Sequence, residues 1–550
     1  MLASNRTHPE PPAPITESDT VVITYADQVT SPGELPLRTL DRVLRTWAAP
    51  FSTVHILPFF PFSSDDGFSV IDYLQVRPDL GSWEDVEALS EHHNLMIDAV
   101  INHVSAKSPW FLSYLAGDFD DLAITPPPDA DLTDVVRPRT SDLLTEVMTS
   151  SGPKKVWTTF SPDQIDLNYA EPEVLLRVLE VLIQYARRGA RFIRLDAATY
   201  LWKEIGTGCA NLPQAHALVQ IFRAVLDLAS PQVLIITETN VPHEQNISYL
   251  APGGIEAQLA YNFALPPLIA HALTTQSALT LTDWANGLKL PKGTAFFNFL
   301  ASHDGIGLRG AEGILTDDQI ATLAERAIDR GGYVSMGAGA EGRVPYELNI
   351  NYLDMLSEPN HPGIGISRFL AAHAIALSLA GMPGIYLHSL LGSRSDRSLA
   401  ERTNSPRAIN RAQLDYATLA EELSDESSER SIIHRGITEL LRVRANQSAF
   451  HPASPQVTLD LGPHFFGLLR GGSKNHVEGS PILCVHNVTG RRQPLPPDLS
   501  SMITLNDPLV GAPGILDAYG YVWLVISPAA ADIIATTFPC DFPENVGRRE

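Results

Sequence analysis

Cysteine is nearly absent from the 550 residues: Cys209, Cys484 and Cys540 are too few and too far apart for a disulfide framework or a zinc signature. That scarcity suits a reducing compartment, and a cytoplasmic location is expected. No uninterrupted apolar run reaches membrane-spanning length either. The most apolar long window, 369–387, contains His373 and is broken by Gly381 and Pro383, so it reads as a buried helix leading into a buried strand. The first residues, where Asn5, Arg6 and Thr7 run into Pro11, Pro12 and Pro14, lack the apolar segment of a signal peptide and suit a loose arm. Basic residues are outnumbered 39 to 63, leaving a net charge of −24. A chain so charged repels polyanions, which argues against nucleic acid and anionic membrane as partners. An anionic substrate has to meet a local basic cluster.

What is plentiful is loop. The 37 glycines and 42 prolines, with 44% hydrophobic and 19% charged residues, describe a globular chain with many connections. Short apolar runs that end in a polar cluster recur through it: 21–25 before Asp27, 54–57 before Pro58, 95–101 before Asn102 and His103, and 192–195 before Asp196. The pattern continues with 233–236 before Glu238, 296–300 before His303 and Asp304, and 385–387 before His388. Consecutive rather than alternating apolar positions fit parallel strands buried on both faces. Helical patterns lie between them, the clearest at 172–188, with Pro172 at its start, an apolar stripe of Val174, Leu175, Val178, Leu179, Leu182 and Ile183, and Gly189 at its end.

Strands alternating with helices, each strand delivering polar residues at its C-terminal end, predict an α/β fold: a (β/α)8 TIM barrel, with the eighth strand near 257–263. The division expected is an N-terminal arm over 1–19, a catalytic barrel over 20–453, and a C-terminal antiparallel β domain over 454–550. Two stretches interrupt the barrel as insertions over its active face, 105–167 after strand three and 305–362 after strand seven.

Asp196 and Glu238 end neighbouring candidate strands and Asp304 ends another, so a barrel gathers three carboxylates on one rim. Retaining cleavage of a glycosidic bond uses an ionised carboxylate and a protonated carboxyl roughly 5 to 5.5 Å apart, a spacing that adjacent barrel strands supply. A single acidic residue at a strand end is more often a helix cap or a surface charge, and only the shared placement of three favours catalysis. His55 falls inside a strand, and His92 and His93 in a helix; all three read as structural.

The segments around those carboxylates are those of a known group. Val54-His55-Ile56-Leu57-Pro58-Phe59-Phe60, Asp66-Gly67-Phe68, Ile101-Asn102-His103, Arg194-Leu195-Asp196-Ala197 and Ser302-His303-Asp304-Gly305-Ile306-Gly307 stand in the family's order. Over about residues 20 to 450 the sequence resembles the α-amylase superfamily (glycoside hydrolase family 13), and within it the sucrose phosphorylase group. The resemblance implies Asp196 as nucleophile, Glu238 as general acid/base and Asp304 as the stabiliser of the distorted sugar ring. It further implies that Arg194 keeps Asp196 ionised, that His103 and His303 donate to glucosyl hydroxyls, and that Asp65 and Phe68 anchor the far side of the ring. No cofactor is implied, and no metal, although amylases of the superfamily often bind calcium near the position of Asn102.

Phosphate needs a cation. The candidates are Arg137 and Arg139 in the first insertion, Arg343 in the second, and Arg407 on the loop leading to Asn410 and Arg411, with Arg407 foremost because the final rim loop of a barrel faces the substrate. For Arg343 alone a solvated loop arginine is the better reading. The segments Ser64-Asp65-Asp66-Gly67-Phe68-Ser69, Thr237-Glu238-Thr239-Asn240-Val241-Pro242-His243 and Pro345-Tyr346-Glu347-Leu348-Asn349 look more like relatives acting on glucosylglycerate, with sucrose 6'-phosphate phosphorylases as near cousins. The small-molecule partners implied are an α-glucoside and inorganic phosphate, with glycerate ahead of fructose 6-phosphate and fructose as acceptor and with Arg139, Arg343, Tyr346 and Glu347 around it. A hydrolase or transglucosidase on the same residues, and a catalytically inactive carbohydrate-binding protein, are the alternatives.

Overall fold

The computed structural model describes residues 15–139, 141–339, 342–471, 479–503, 508–512 and 514–540. Most of the N-terminal arm, residues 1–14, lies outside them.

Eight parallel strands close into a barrel: β1 (Val21–Thr24), β2 (Thr53–Ile56), β3 (Asn94–Ala99), β4 (Ala190–Leu195), β5 (Leu234–Thr237), β6 (Leu259–Tyr261), β7 (Ala295–Phe299) and β8 (Met382–Tyr386). Each pairs with its neighbours in chain order, and β8 pairs back onto β1 with Val21 opposite Gly384. The apolar runs are buried along their length because one side chain in two fills the barrel and the other meets the helical layer outside. The expected weak strand is present as the three residues of β6.

The helix α1 (Pro172–Arg187) starts on a proline and buries Val174, Val178, Val181, Leu182 and Tyr185. Its buried stripe is turned slightly from the expected one, since Val181 and Tyr185 face the barrel while Leu175 and Leu179 are only half-buried. The helix α2 (Pro362–Ser378) runs into β8, the buried helix and strand of the 369–387 window. His92 and His93 are not helical. The preceding helix stops at Leu89, and both histidines lie in the turn that feeds β3, held by bonds from their N–H groups to the Leu89 carbonyl of 3.2 and 3.0 Å.

Between β3 and β4 the chain makes a helix over Pro109–Ala116, a hairpin of Leu144–Thr149 with Gly152–Trp157, and a short antiparallel pair of His103–Ser105 with Gln164–Asp166 that returns it to the rim. Between β7 and β8 it makes a helix over Asp317–Asp329 and a hairpin of Tyr333–Gly339 with Gly342–Asn349. Beyond the barrel a five-stranded antiparallel sheet is built from β9 (Gln456–Leu459), β10 (Phe465–Arg470), β11 (Ile482–Asn487), β12 (Pro508–Val510) and β13 (Tyr521–Val525), in the order β9-β10-β11-β13-β12. Buried Arg444 ties the base of the barrel together, donating to the carbonyls of Leu377, Gly381 and Phe450 at 2.9 to 3.2 Å.

Candidate active site

Strands β4 and β5 pair with Leu195 opposite Thr237, so the next residues, Asp196 and Glu238, leave the rim side by side. The main chain fixes both: the Asp196 N–H donates to Ala99 O at 3.1 Å and the Glu238 N–H to Leu195 O at 3.0 Å. Ala197 then adopts a left-handed backbone (φ 51°) that an alanine rarely takes. This turn points its N–H at Glu238 Oε2, 3.0 Å away, and strain of this kind is characteristic of functional sites.

Arg194 is two residues before Asp196 and therefore on the same face of β4. Its Nη1 donates to Asp196 Oδ1 at 3.0 Å and also to Asp98 on β3. Asp98 Oδ2 in turn lies 2.7 Å from His55 Nε2. Burial keeps His55 below its ordinary pKa and hence neutral, so this nitrogen is the donor to a carboxylate that can only accept. Burial works to raise the Asp98 carboxyl, yet Arg194 and His55 hold it below its ordinary value. His55 is structural in position, as its sequence context suggests, and it belongs to the chain of contacts that aims Arg194.

Burial pushes both Asp196 and Glu238 up to about 7, against the pull of Arg194 on each. Only Asp196 takes a hydrogen bond from the guanidinium; Glu238 takes one neutral N–H. A charged bond favours the ionised form more strongly than a neutral one, so of two carboxyls sharing a proton near neutrality, Glu238 holds it. Asp304 behaves differently. Burial would raise it, but Arg407, His303 and Arg411 hold it well below the ordinary carboxylate range, with Arg407 Nη1 at 2.6 Å and Arg411 Nη2 at 3.4 Å from Oδ1.

These carboxylates line one cavity that is open to solvent. Asp65, Phe68, His103, Arg139, Arg194, His303, Tyr346, Glu347 and Arg407 line it too. Both insertions reach it, the first with Pro138, Arg139, Phe160 and Gln164, the second with Gly307, Tyr346 and Glu347. Phe68 stacks on His303 with ring centroids 4.7 Å apart and planes 2° from parallel. Among the described residues His303 Nδ1 is buried without a hydrogen-bond partner, and its Nε2 lies 3.5 Å from Asp304 Oδ2. His103 differs from expectation: its Nε2 lies 2.8 Å from the Phe68 carbonyl and its Nδ1 3.2 Å from Asn102 Nδ2. Both ring nitrogens are engaged within the protein, so the ring supports Phe68 and faces the cavity without a free donor.

The arginines are sorted by the structure. Arg407 is not a free cation: its Nε and Nη2 grip Glu347 at 3.0 and 2.6 Å while Nη1 holds Asp304. Glu347, buried, accepts that fork rather than standing open to an acceptor. Arg137 points away from the catalytic cavity, donates to the Ser141 carbonyl and lines a separate groove. Arg343 is exposed on the second hairpin and does not line the cavity. Arg139 does line it and has no ion-pair partner among the described residues. Its charge acts on the buried hydroxyls of Tyr200 and Tyr346, and burial pushes the latter up to about 12.

Sequence reasoning passes over several lining residues, including Gln164, Tyr200, Asn240 and Tyr261. Gln164 Nε2 reaches Asp65 Oδ2 at 3.3 Å and the Phe68 carbonyl at 2.9 Å. It sits in a three-residue strand inside an insertion, where no periodicity marks it. Beside Asn102, Lys203 Nζ lies 2.8 Å from its Oδ1 and 2.5 Å from Asp166 Oδ2, so an ammonium fills the space between these oxygens. No group of three or more metal-ligating side chains occurs among the described residues.

The catalytic-domain model of the α-amylase family matches residues 50–305. A glucosylglycerate phosphorylase of Allomeiothermus silvanus is 47% identical over 517 residues, covering 92% of this chain and 91% of the relative. The chain belongs to the α-amylase family. Within that family it is also 48% identical to a glucosylglycerate phosphorylase of Spirochaeta thermophila, across 86% of this chain and 81% of the relative. Among solved structures, sucrose 6F-phosphate phosphorylase from Thermoanaerobacter thermosaccharolyticum superposes with a TM-score of 0.75 at 26% identity, covering 86% of this chain and 94% of that one. The sequential eight-stranded barrel and the rim carboxylates are the features expected of an α-amylase-family chain. No helix among the described residues is long and apolar enough to cross a membrane.

Proposed function

We propose that this chain is a retaining glucoside phosphorylase that converts glucosylglycerate and phosphate to α-D-glucose 1-phosphate and glycerate. The observation that carries the chemistry is the asymmetric pair: Asp196 takes a charged bond from Arg194, and Glu238 beside it does not. Asp196 attacks the anomeric carbon while Glu238 gives its proton to the departing glycerate oxygen, leaving glucose on the Asp196 carboxylate. A phosphate oxygen then attacks the same carbon from the vacated side, Glu238 takes back a proton, and the ester bond to Asp196 breaks. Arg194 keeps the nucleophile ionised, and His303, Asp65 and Phe68 hold the ring. Arg139, the cavity cation with no carboxylate partner among the described residues, takes the phosphate; Arg407 instead orders Asp304 and Glu347.

The preference for glycerate rests on likeness and on charge. The relatives at 47–48% identity carry the name glucosylglycerate phosphorylase. Asp304 and Glu347 take up the charge of Arg407 between them, so that guanidinium is not left over for the doubly charged phosphate of fructose 6-phosphate, and a singly charged carboxylate needs less cation to hold it. None of the three cysteines is in a disulfide, which suits the cytoplasm. The test is product analysis: with glucosylglycerate, α-glucose 1-phosphate should appear only when phosphate is present. Free glucose formed at the same rate with or without phosphate would make the protein a hydrolase.

A further inference from the structure

The loop 63–69 brings Asp65 and Phe68 to the cavity, and it does so in a conformation that side chains avoid. Three consecutive residues have left-handed backbone: Asp65 (φ 54°), Asp66 (φ 48°) and Gly67 (φ 109°). At Gly67 the glycine is required twice over, since a Cβ would also stand 2.8 Å from the Pro58 carbonyl oxygen. At Asp65 and Asp66 no such relief exists, and a strained backbone persists only where its surroundings enforce it.

Asp163 in the first insertion shares that enforcement with the Ser63 N–H, which donates to the Ser69 carbonyl at 3.0 Å, and with Arg411, paired to Asp66 at 2.5 Å. Asp163 Oδ2 accepts hydrogen bonds from three serine hydroxyls of that loop: Ser63 at 2.5 Å, Ser64 at 2.5 Å and Ser69 at 2.8 Å. Its main-chain carbonyl accepts a second contact from Ser69 at 2.9 Å and the N–H of Ala106 at 2.9 Å. The three serines flank the strained residues on both sides, so the carboxylate closes the ends of the loop together. Its neighbour Gln164 then grips the middle, at Asp65 Oδ2 and the Phe68 carbonyl. A carboxylate suits this task because it accepts from every direction and donates to none. Asp163 is only half-buried, outside the apolar core.

We propose that Asp163 is a positioning residue of the glucosyl subsite, holding the Ser63–Ser69 loop in the form that presents Asp65 and Phe68 to the sugar. This inference rests on the glucosyl-transfer reading above. The test therefore uses α-glucosyl fluoride, a donor that needs neither phosphate nor acceptor, and measures fluoride release. Asp163→Ala should lower kcat/KM by about tenfold or more, mostly through KM, because misplacing a subsite group by about 1 Å has effects of that size. In an Asp65→Asn background the same change should cost clearly less, by about threefold or more, since one of the two residues it positions is already disabled. Ser64→Ala, which removes one hydroxyl from a partly exposed position, should show a smaller effect with the same dependence on Asp65, and it decides the matter if Asp163→Ala folds poorly. An equal loss in both backgrounds, or wild-type kinetics for Asp163→Ala, would overturn the proposal while leaving the enzymatic reading intact. A wild-type protein that released no fluoride would overturn the glucosyl-transfer reading itself.

Discussion

Arg139→Ala should separate phosphorolysis from hydrolysis, and the magnitude follows from the pairing of the cavity arginines. Arg139 lines the cavity without an ion-pair partner among the described residues, so its removal strands no buried carboxylate. What is lost is a charged hydrogen bond to phosphate, about 1.5 to 3 kcal/mol, which corresponds to a roughly 10- to 100-fold slower reaction with phosphate. Hydrolysis of the glucosyl-enzyme needs no cation to hold water and should stay within about threefold. Arg407→Ala is the contrasting perturbation. Its guanidinium lies 2.6 Å from both Asp304 and Glu347, and deleting it leaves buried Glu347 unpaired and Asp304 with only Arg411, at 3.4 Å, and His303. That loss is of the kind that is strongly destabilising, about 3 to 5 kcal/mol, and it should depress both reactions together. The assay is the ratio of α-glucose 1-phosphate to free glucose formed from one donor at saturating phosphate. The ratio should fall in Arg139→Ala and hold steady in Arg407→Ala. The reverse pattern would refute the assignment and return the phosphate site to Arg407.

Asp196→Ala should abolish turnover of every donor, whereas Glu238→Gln should still form a glucosyl-enzyme from α-glucosyl fluoride; substantial activity of the Asp196 variant on that donor would show that another group is the nucleophile. Because Asp196 and Glu238 are both pushed up to about 7, kcat/KM should fall below neutrality as Asp196 gains its proton and above neutrality as Glu238 loses its own, the pair titrating as a unit. In Glu238→Gln with the fluoride donor the basic limb should vanish; its persistence would assign the proton elsewhere. In synthesis from α-glucose 1-phosphate, glycerate should be used ahead of fructose 6-phosphate and fructose, and neutral fructose winning by an order of magnitude would reverse the acceptor assignment.

The barrel was legible because its strands carry their own signal. Runs such as 192–195 and 233–236 are apolar on most consecutive positions, as a strand covered on both faces requires, and each leads into a carboxylate that the rim presents, Asp196 or Glu238. For the same reason the carboxylates could be placed: a residue one step past a barrel strand is fixed by the strand's register, as the pairing of Leu195 with Thr237 shows for Asp196 and Glu238. Even β6, three residues long, was recoverable from the rhythm of its neighbours.

The arginines were not legible in that way, and the reason is the reach of the side chain. A guanidinium on a loop finds a carboxylate far away in sequence, and nothing local records which one. Arg407 and Glu347 are separated by 60 positions yet form a two-pronged pair, so the motif that marked Arg407 as important could not distinguish a phosphate ligand from a partner of Asp304. Arg137 and Arg139, one proline apart, face different cavities. The same limit hid Asp163, whose hydroxyl partners Ser63, Ser64 and Ser69 lie about a hundred residues earlier. Periodicity reports which backbone segments are buried; it carries no information about which charges meet. In this protein the placement of the rim carboxylates follows strand register, and the partners of the cavity arginines follow long-range contacts, so the first could be read from the chain and the second only from the fold.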